Sequence, residues 1–156
     1  MINLNELCKF LVQAKKSGYA SGDAAKKIEE KDLSTTLVFE NGDWKYHDNY
    51  FGGEPYGGRE VVFFRNSPVY MMVYYGWVDE KASDIQSVYK ILQAALFLIP
   101  EDKPFRGPKT YMLDGIEYNN DFEGEINKFF GEETIRSANG MELYRAKYMG
   151  GLIDQR

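Results

Sequence analysis

Apolar positions along this chain follow two different periods. Leu4, Leu7, Leu11 and Ala14 fall on one helical stripe with Cys8 beside them, which predicts a helix over residues 3–17. Asn3 is placed to cap it, Glu6 completes a capping box, and Gly18 is placed to stop it. Residues 20–33 are small, charged and weakly patterned, which predicts a loop with a mobile tip around Asp23 to Lys31. The period then changes to strands: Thr35–Glu40, Trp44–Phe51, Glu60–Arg65 and Val69–Val78. They are joined by a hairpin at Asn41-Gly42, a glycine-rich turn over residues 52–58 and a turn at Asn66-Ser67-Pro68. A second helix is expected from about Asp84 to Ile99. Its stripe is Ile85, Val88, Leu92, Ala95, Leu96 and Ile99, with Ser83 and Gln86 as its capping box and Pro100 as its end. After a stiff Pro100–Pro108 connection, strands are expected at Thr110–Leu113, Ile116–Phe122, Glu125–Phe130 (or a short helical turn there), Glu133–Ser137 and Glu142–Tyr148.

The second half also echoes the first at a spacing of 74 residues. Tyr56-Gly57 recurs as Phe130-Gly131, Val61 as Ile135, Val69 as Leu143, Tyr70 as Tyr144, Tyr74 as Tyr148 and Gly76 as Gly150. This predicts an α+β fold in one domain over residues 1–156. Its two pseudo-repeated halves, about 1–82 and 83–156, would each consist of one helix plus a four-stranded antiparallel meander, sharing one continuous curved sheet or packing face to face. Val61–Phe64 and Val69–Val78 do not alternate apolar with polar, so both of their faces need cover. A helix covers one. The other half of the protein, a dimer partner or a ligand is expected to cover the other.

Composition narrows the function classes. Apolar residues make up 44% and charged residues 28%, as in an ordinary globular protein, while 12 Tyr, 10 Phe and 2 Trp give an aromatic excess. The net charge of -5 and the lack of a Lys/Arg run argue against direct nucleic-acid binding. No segment approaches a membrane span and no leader pattern opens the chain, so a cytoplasmic location is expected. A single cysteine, Cys8, and a single histidine, His47, make a poor metal set, and no metal or cofactor is expected. The paired glycines near residue 55 lead into no helix and carry no Lys-Ser/Thr, so they serve turn geometry rather than a phosphate.

What remains is a cluster of aromatic and acidic side chains. Buried tyrosines need hydrogen-bond partners, and a core built for stability alone would use Phe or Leu. The candidate ligand-binding residues are Trp44, Tyr46, Asp48, Tyr50, Glu54, Glu60, Tyr74, Trp77 and Arg106. Aromatics would supply area for a polar or cationic ligand. Carboxylates would fix its orientation, and Arg106 would hold its loop, a hairpin carboxylate or an anionic group.

Several stretches taken in order resemble a known family. They are Phe10–Lys16 with Tyr19-Ala20-Ser21; Gly42-Asp43-Trp44-Lys45-Tyr46 with Asp48; Tyr50-Phe51-Gly52-Gly53; Glu60-Val61-Val62; Pro68-Val69; Tyr74-Tyr75-Gly76; Pro100–Pro108; and Tyr148–Ile153. Together they resemble an uncharacterised bacterial family, domain of unknown function 5680. Similar domains occur alone or behind helix-turn-helix DNA-binding domains in transcriptional regulators, which implies a sensor or partner-binding role. No catalytic residues are assigned in that family, so none carries over. This chain opens directly at the domain and is expected to lack a helix-turn-helix of its own.

The leading expectation is a non-catalytic binding module for a small molecule or a partner surface. Two alternatives stand beside it. One is a small hydrolase or isomerase that uses Asp48, Glu54 or Glu60 as general acid and base. The other is a structural homodimerisation module in which the apolar strands cover one another.

Overall fold

A computed structural model of the chain describes residues 2–18, 20 and 26–154. Among these residues the elements run α1 (Leu4–Ser17), β1 (Lys27–Glu29), β2 (Thr35–Asn41), β3 (Trp44–Gly52), β4 (Tyr56–Phe64), β5 (Ser67–Val78), α2 (Ile85–Phe97), β6 (Thr110–Leu113), β7 (Ile116–Glu125), β8 (Lys128–Arg136) and β9 (Glu142–Leu152). The Asn3 side chain caps α1, accepting from the amides of Asn5 and Glu6, and the Gly18 amide closes the helix on the Ala14 carbonyl. Asp84, not Ser83, caps α2, because its carboxylate reaches the amides of Gln86 and Ser87. Part of the expected 20–33 loop, including the start of its tip at Asp23, lies outside the described residues. Lys27–Glu29 is a strand paired with β2.

All nine strands form one antiparallel sheet in the order β1-β2-β3-β4-β5-β9-β8-β7-β6. This corrects the expectation of two halves, each with a helix over its own four-stranded meander. Five strands precede α2 and four follow it, and β5 and β9 pair edge to edge from Tyr70 opposite Leu152 to Val78 opposite Tyr144. That pairing satisfies both strand edges with backbone hydrogen bonds, so the two stretches of strand merge into one layer instead of stacking. The 74-residue spacing sets Tyr74 opposite Tyr148 at this seam, but it does not divide the chain into two units. Two strand boundaries also move. Tyr56-Gly57-Gly58 belongs to β4 rather than to a turn, and the two short strands expected around Glu125–Ser137 are replaced by β8 and the end of β7.

Side chains alternate across a strand, so the register sorts them onto two faces. The inner face carries Tyr46, Asp48 and Tyr50 of β3, Gly58, Glu60 and Val62 of β4, and Tyr70, Met72 and Tyr74 of β5. From the far side of the seam come Tyr144, Ala146 and Tyr148 of β9 with Phe129, Gly131, Glu133 and Ile135 of β8. The helices cover this face. Leu7, Phe10, Leu11 and Ala14 of α1 bury against Tyr46, Val62, Tyr70 and Met72. Val88, Ile91, Leu92, Ala95 and Leu96 of α2 bury against Tyr118, Ile135 and Tyr144. The connection after α2 folds in between, with Phe105 stacked on Phe129 at 3.9 Å between ring centroids.

Among the described residues nothing forms a second layer on the outer face. Val73, Tyr75, Phe130 and Met149 are exposed there, and the register makes them neighbours, with Met149 opposite both Val73 and Phe130. On this outer face, therefore, the second half does not cover the apolar strands of the first, whereas on the inner face Phe105 and Phe129 pack with Tyr70 and Met72. No helix among the described residues is long and apolar enough to cross a membrane.

Candidate functional site: a polar cavity beneath the helices

Between the inner face, the two helices and the 98–109 connection lies a cavity of about 300 Å³. Its walls include Lys15 of α1, Tyr46, Asp48 and Tyr50 of β3, Tyr56 and Glu60 of β4, Tyr74 of β5, Tyr89 and Gln93 of α2, and Phe105 and Arg106 of the connection. Six residues expected at a site from the sequence meet here: Tyr46, Asp48, Tyr50, Glu60, Tyr74 and Arg106. Asp48 and Glu60 sit directly opposite each other on β3 and β4, so their carboxyls project side by side from one face. Gly58 lets the Tyr74 hydroxyl pack close to the sheet, since a Cβ there would stand 2.7 Å from that hydroxyl and 2.4 Å from the Asn49 carbonyl oxygen.

The other three expected residues lie elsewhere. Glu54 is exposed near the Gly52-Gly53 wall, where it accepts from the Val78 amide at 2.7 Å and from the Tyr89 hydroxyl. Trp44 packs on Phe10 and Phe64 at the end of the α1 core. Trp77 is on the outer face beside Tyr75.

Every cation in the cavity wall is paired. Lys15 Nζ lies 2.8 Å from Glu60 Oε2 and donates to the Phe105 carbonyl at 2.7 Å, so it clamps the helix to the sheet and to the connection. Burial pushes the Lys15 ammonium below its ordinary pKa, and Glu60 opposes that shift. Arg106 makes a two-point contact with Glu133 of β8, through Nε to Oε1 and through Nη2 to Oε2 at 3.2 Å. Its partner is thus on the far side of the seam and is not a carboxylate of the β3–β4 hairpin. Its guanidinium also lies over the Tyr74 ring at 5.6 Å.

Asp48 differs from its neighbours. It is 6% exposed, and its Oδ1 accepts from the Tyr74 hydroxyl at 2.5 Å. Its Oδ2 receives no hydrogen bond among the described residues, and it has no cation of its own. Burial and the neighbouring Glu60 carboxylate push its pKa up to about 7, against opposing contributions from Tyr74, Arg106 and Lys15. Burial, then Glu60 and Asp48, hold the Tyr46 hydroxyl well above the ordinary phenol range.

Sequence reasoning missed Lys15, Tyr89 and Glu133. The signal for Lys15 was present, because it falls four residues after Leu11 on the buried stripe of α1. Glu133 also had one, between Gly131 and Ile135 on the inward parity of β8. A surrounding web fixes the far wall. The Tyr56 and Tyr144 hydroxyls bond to each other. Tyr148 donates to Asn120, Asn120 donates to the Gly107 carbonyl, and the Gly107 amide donates to the Tyr118 hydroxyl.

The raised Asp48 pKa makes stability depend on pH. The unfolded carboxyl titrates near about 4 and the folded one at about 7, so the fold favours the neutral form. The associated stabilisation is complete below about pH 4 and is lost as pH rises through about 7, by about 4 kcal/mol at most. Asp48→Asn keeps the acceptor for Tyr74 and removes the titration. Urea unfolding should show the native chain losing stability between pH 5 and 8 more steeply than the Asn variant; parallel profiles would contradict the assignment.

The chain matches no curated protein and no solved structure. A family model described as a domain of unknown function matches residues 48–153, taking in Asp48, Glu60, Tyr74, Arg106 and Glu133 and leaving α1 with Lys15 outside. By that match, which runs from the cavity floor on β3 to just past the last strand, the chain belongs to the DUF5680 family.

Proposed function

We propose that this chain is a cytoplasmic binding module whose inner cavity takes a small molecule with a flat or apolar body and a polar head. The observation that carries this reading is a hollow walled by five tyrosines, with an ionisable group, Asp48, whose second oxygen has no hydrogen-bond partner among the described residues. Enclosing polar groups is costly, and apolar residues of similar size would fill such a space at less expense to stability. Ligand pockets combine apolar and aromatic walls with a few convergent polar groups, as this one does. The association with regulators implied by the family resemblance fits a sensing role.

Hydrolysis or isomerisation by paired carboxylates is less well supported. Two carboxyls that flank a scissile bond approach it from opposite sides. Asp48 and Glu60 project side by side from adjacent strands, Glu60 is tied to Lys15, and Glu54 is engaged near the rim.

A thermal-shift screen of small metabolites tests the binding reading. A compound present at about 100 times its Kd adds about 2.7 kcal/mol, enough to raise Tm by several degrees in a chain of this size. Tyr46→Phe and Glu60→Gln should shrink that shift. A screen in which no compound raises Tm, with both variants also leaving capture of partners from lysate unchanged, would contradict it.

A second reading concerns the outer face. We infer that two copies pack through Val73, Tyr75, Phe130 and Met149. Arg59 of β4 borders this patch on one side, and Asp121 and Glu123 of β7 border it on the other. A two-fold axis along the strands would lay the β4 side of one copy on the β7 side of the other, bringing Arg59 against the two carboxylates. Size-exclusion with light scattering should show a dimer at micromolar concentration and a monomer for Met149→Glu. A native chain that is monomeric at hundreds of micromolar would contradict this.

A further inference from the structure

Among the described residues the charges around the cavity cancel in pairs, with one carboxyl left over. Lys15 is matched by Glu60 and Arg106 by Glu133. Asp48 faces Lys15 from α1, Glu60 from β4, Tyr74 from β5 and Arg106 from the connection, with Tyr46 beside it on its own strand, and both of those cations are already engaged. With Asp48 protonated the buried set is neutral; with Asp48 ionised it carries one uncompensated negative charge. An anionic ligand would find no free cation among the described residues of the wall. A neutral ligand would leave Asp48 in the protonated form. A cation entering beside Asp48 restores neutrality by taking the place of its proton.

Resting on the reading of this cavity as a ligand site, we propose that it takes a small organic amine whose ammonium group docks on the free oxygen of Asp48 and displaces the proton held there. The exchange is balanced: a protonated carboxyl and an ammonium ion outside become a carboxylate–ammonium pair inside and one proton released. The tyrosine rings of the wall suit this occupant. Tyr46, Tyr50, Tyr56 and Tyr89 line the space, and aromatic rings attract a cation over their faces and pack against an apolar or aromatic tail. Exposed Glu54 adds negative charge beside the Gly53 wall. Asp48 satisfies the geometric requirement for the head group, because it is buried, lines the cavity and has one oxygen already fixed by Tyr74. Burial and the neighbouring Glu60 carboxylate, which raise its pKa to about 7, also make it hold a proton near neutral pH when no cation is bound.

Calorimetry with three probes of similar shape tests this: benzylamine, benzyl alcohol and benzoate, each at pH 6, 7 and 8 in buffers of different ionisation heat. Benzylamine should bind best. Its affinity should rise up to about tenfold per pH unit below 7 and level off above it, with close to one proton released per molecule bound at pH 6. Asp48→Asn should weaken benzylamine at least tenfold and abolish its pH dependence. If that variant does not fold, the proton count on the native chain decides. Benzyl alcohol or benzoate binding as tightly as the amine, or an amine affinity independent of pH, overturns the amine assignment. If either of those two probes binds and Tyr46→Phe weakens it, the cavity is still a ligand site and only its chemical class was wrong. If none of the three binds at millimolar concentration, the amine proposal falls; the metabolite screen then decides separately whether the cavity is a binding site.

Discussion

An ionised side chain removed from water must be matched by an opposite charge or give up its own, and the inner face of this sheet encloses five of them. The two ion pairs also hold the architecture in place. Lys15–Glu60 fastens the end of α1 to β4, and the same ammonium reaches the Phe105 carbonyl of the long connection. Arg106–Glu133 fastens that connection to β8 across the seam. Removing one partner from a buried pair costs about 3–5 kcal/mol because the other is left exposed to low dielectric. The helix, the connection and the sheet are therefore joined at the points where the cavity wall is made.

The seam between β5 and β9 determines which face can be enclosed. Once two meanders join edge to edge, one broad sheet results, and two helices of 14 and 13 residues cover one side of it. The inner side becomes a layered core with a polar hollow in the middle. The other side keeps its apolar side chains at the surface. The two-sided apolar character of β5 thus has two separate causes: Tyr70, Met72 and Tyr74 belong to the helix-covered core, and Val73 and Tyr75 to the outer patch.

Local signals in the sequence were strong where physics is local. The Asn3 cap, the Leu7–Leu11–Ala14 stripe and the Gly18 stop are settled within a few residues, and the structure follows them. Tyr46, Asp48 and Tyr50 were grouped from the sequence by residue type, and the register shows that they share one face of β3. Pairing across the seam was not legible, because an edge-to-edge join and a face-to-face stack need the same apolar strands. Trp44 and Trp77 were drawn into the expected site by residue type alone. Trp44 shares the inward parity but lies at the end of its strand under Phe10, and Trp77 has the outward parity. Lys15 was hidden by the habit of reading lysine as solvated, although its position on the stripe of α1 says otherwise. The match to the DUF5680 family covers the sheet from β3 onward and leaves function open, so the functional reading rests on the cavity itself.

The chemistry of the cavity depends on Asp48 being the odd charge of a buried cluster whose other described members are paired. Carboxyl carbon chemical shifts, followed by NMR in the native chain with Asp48→Asn to identify the resonance, measure this directly. The account predicts that the Asp48 carboxyl titrates near pH 7, well apart from surface aspartates. Titration near pH 4, alongside the exposed carboxylates, would contradict it.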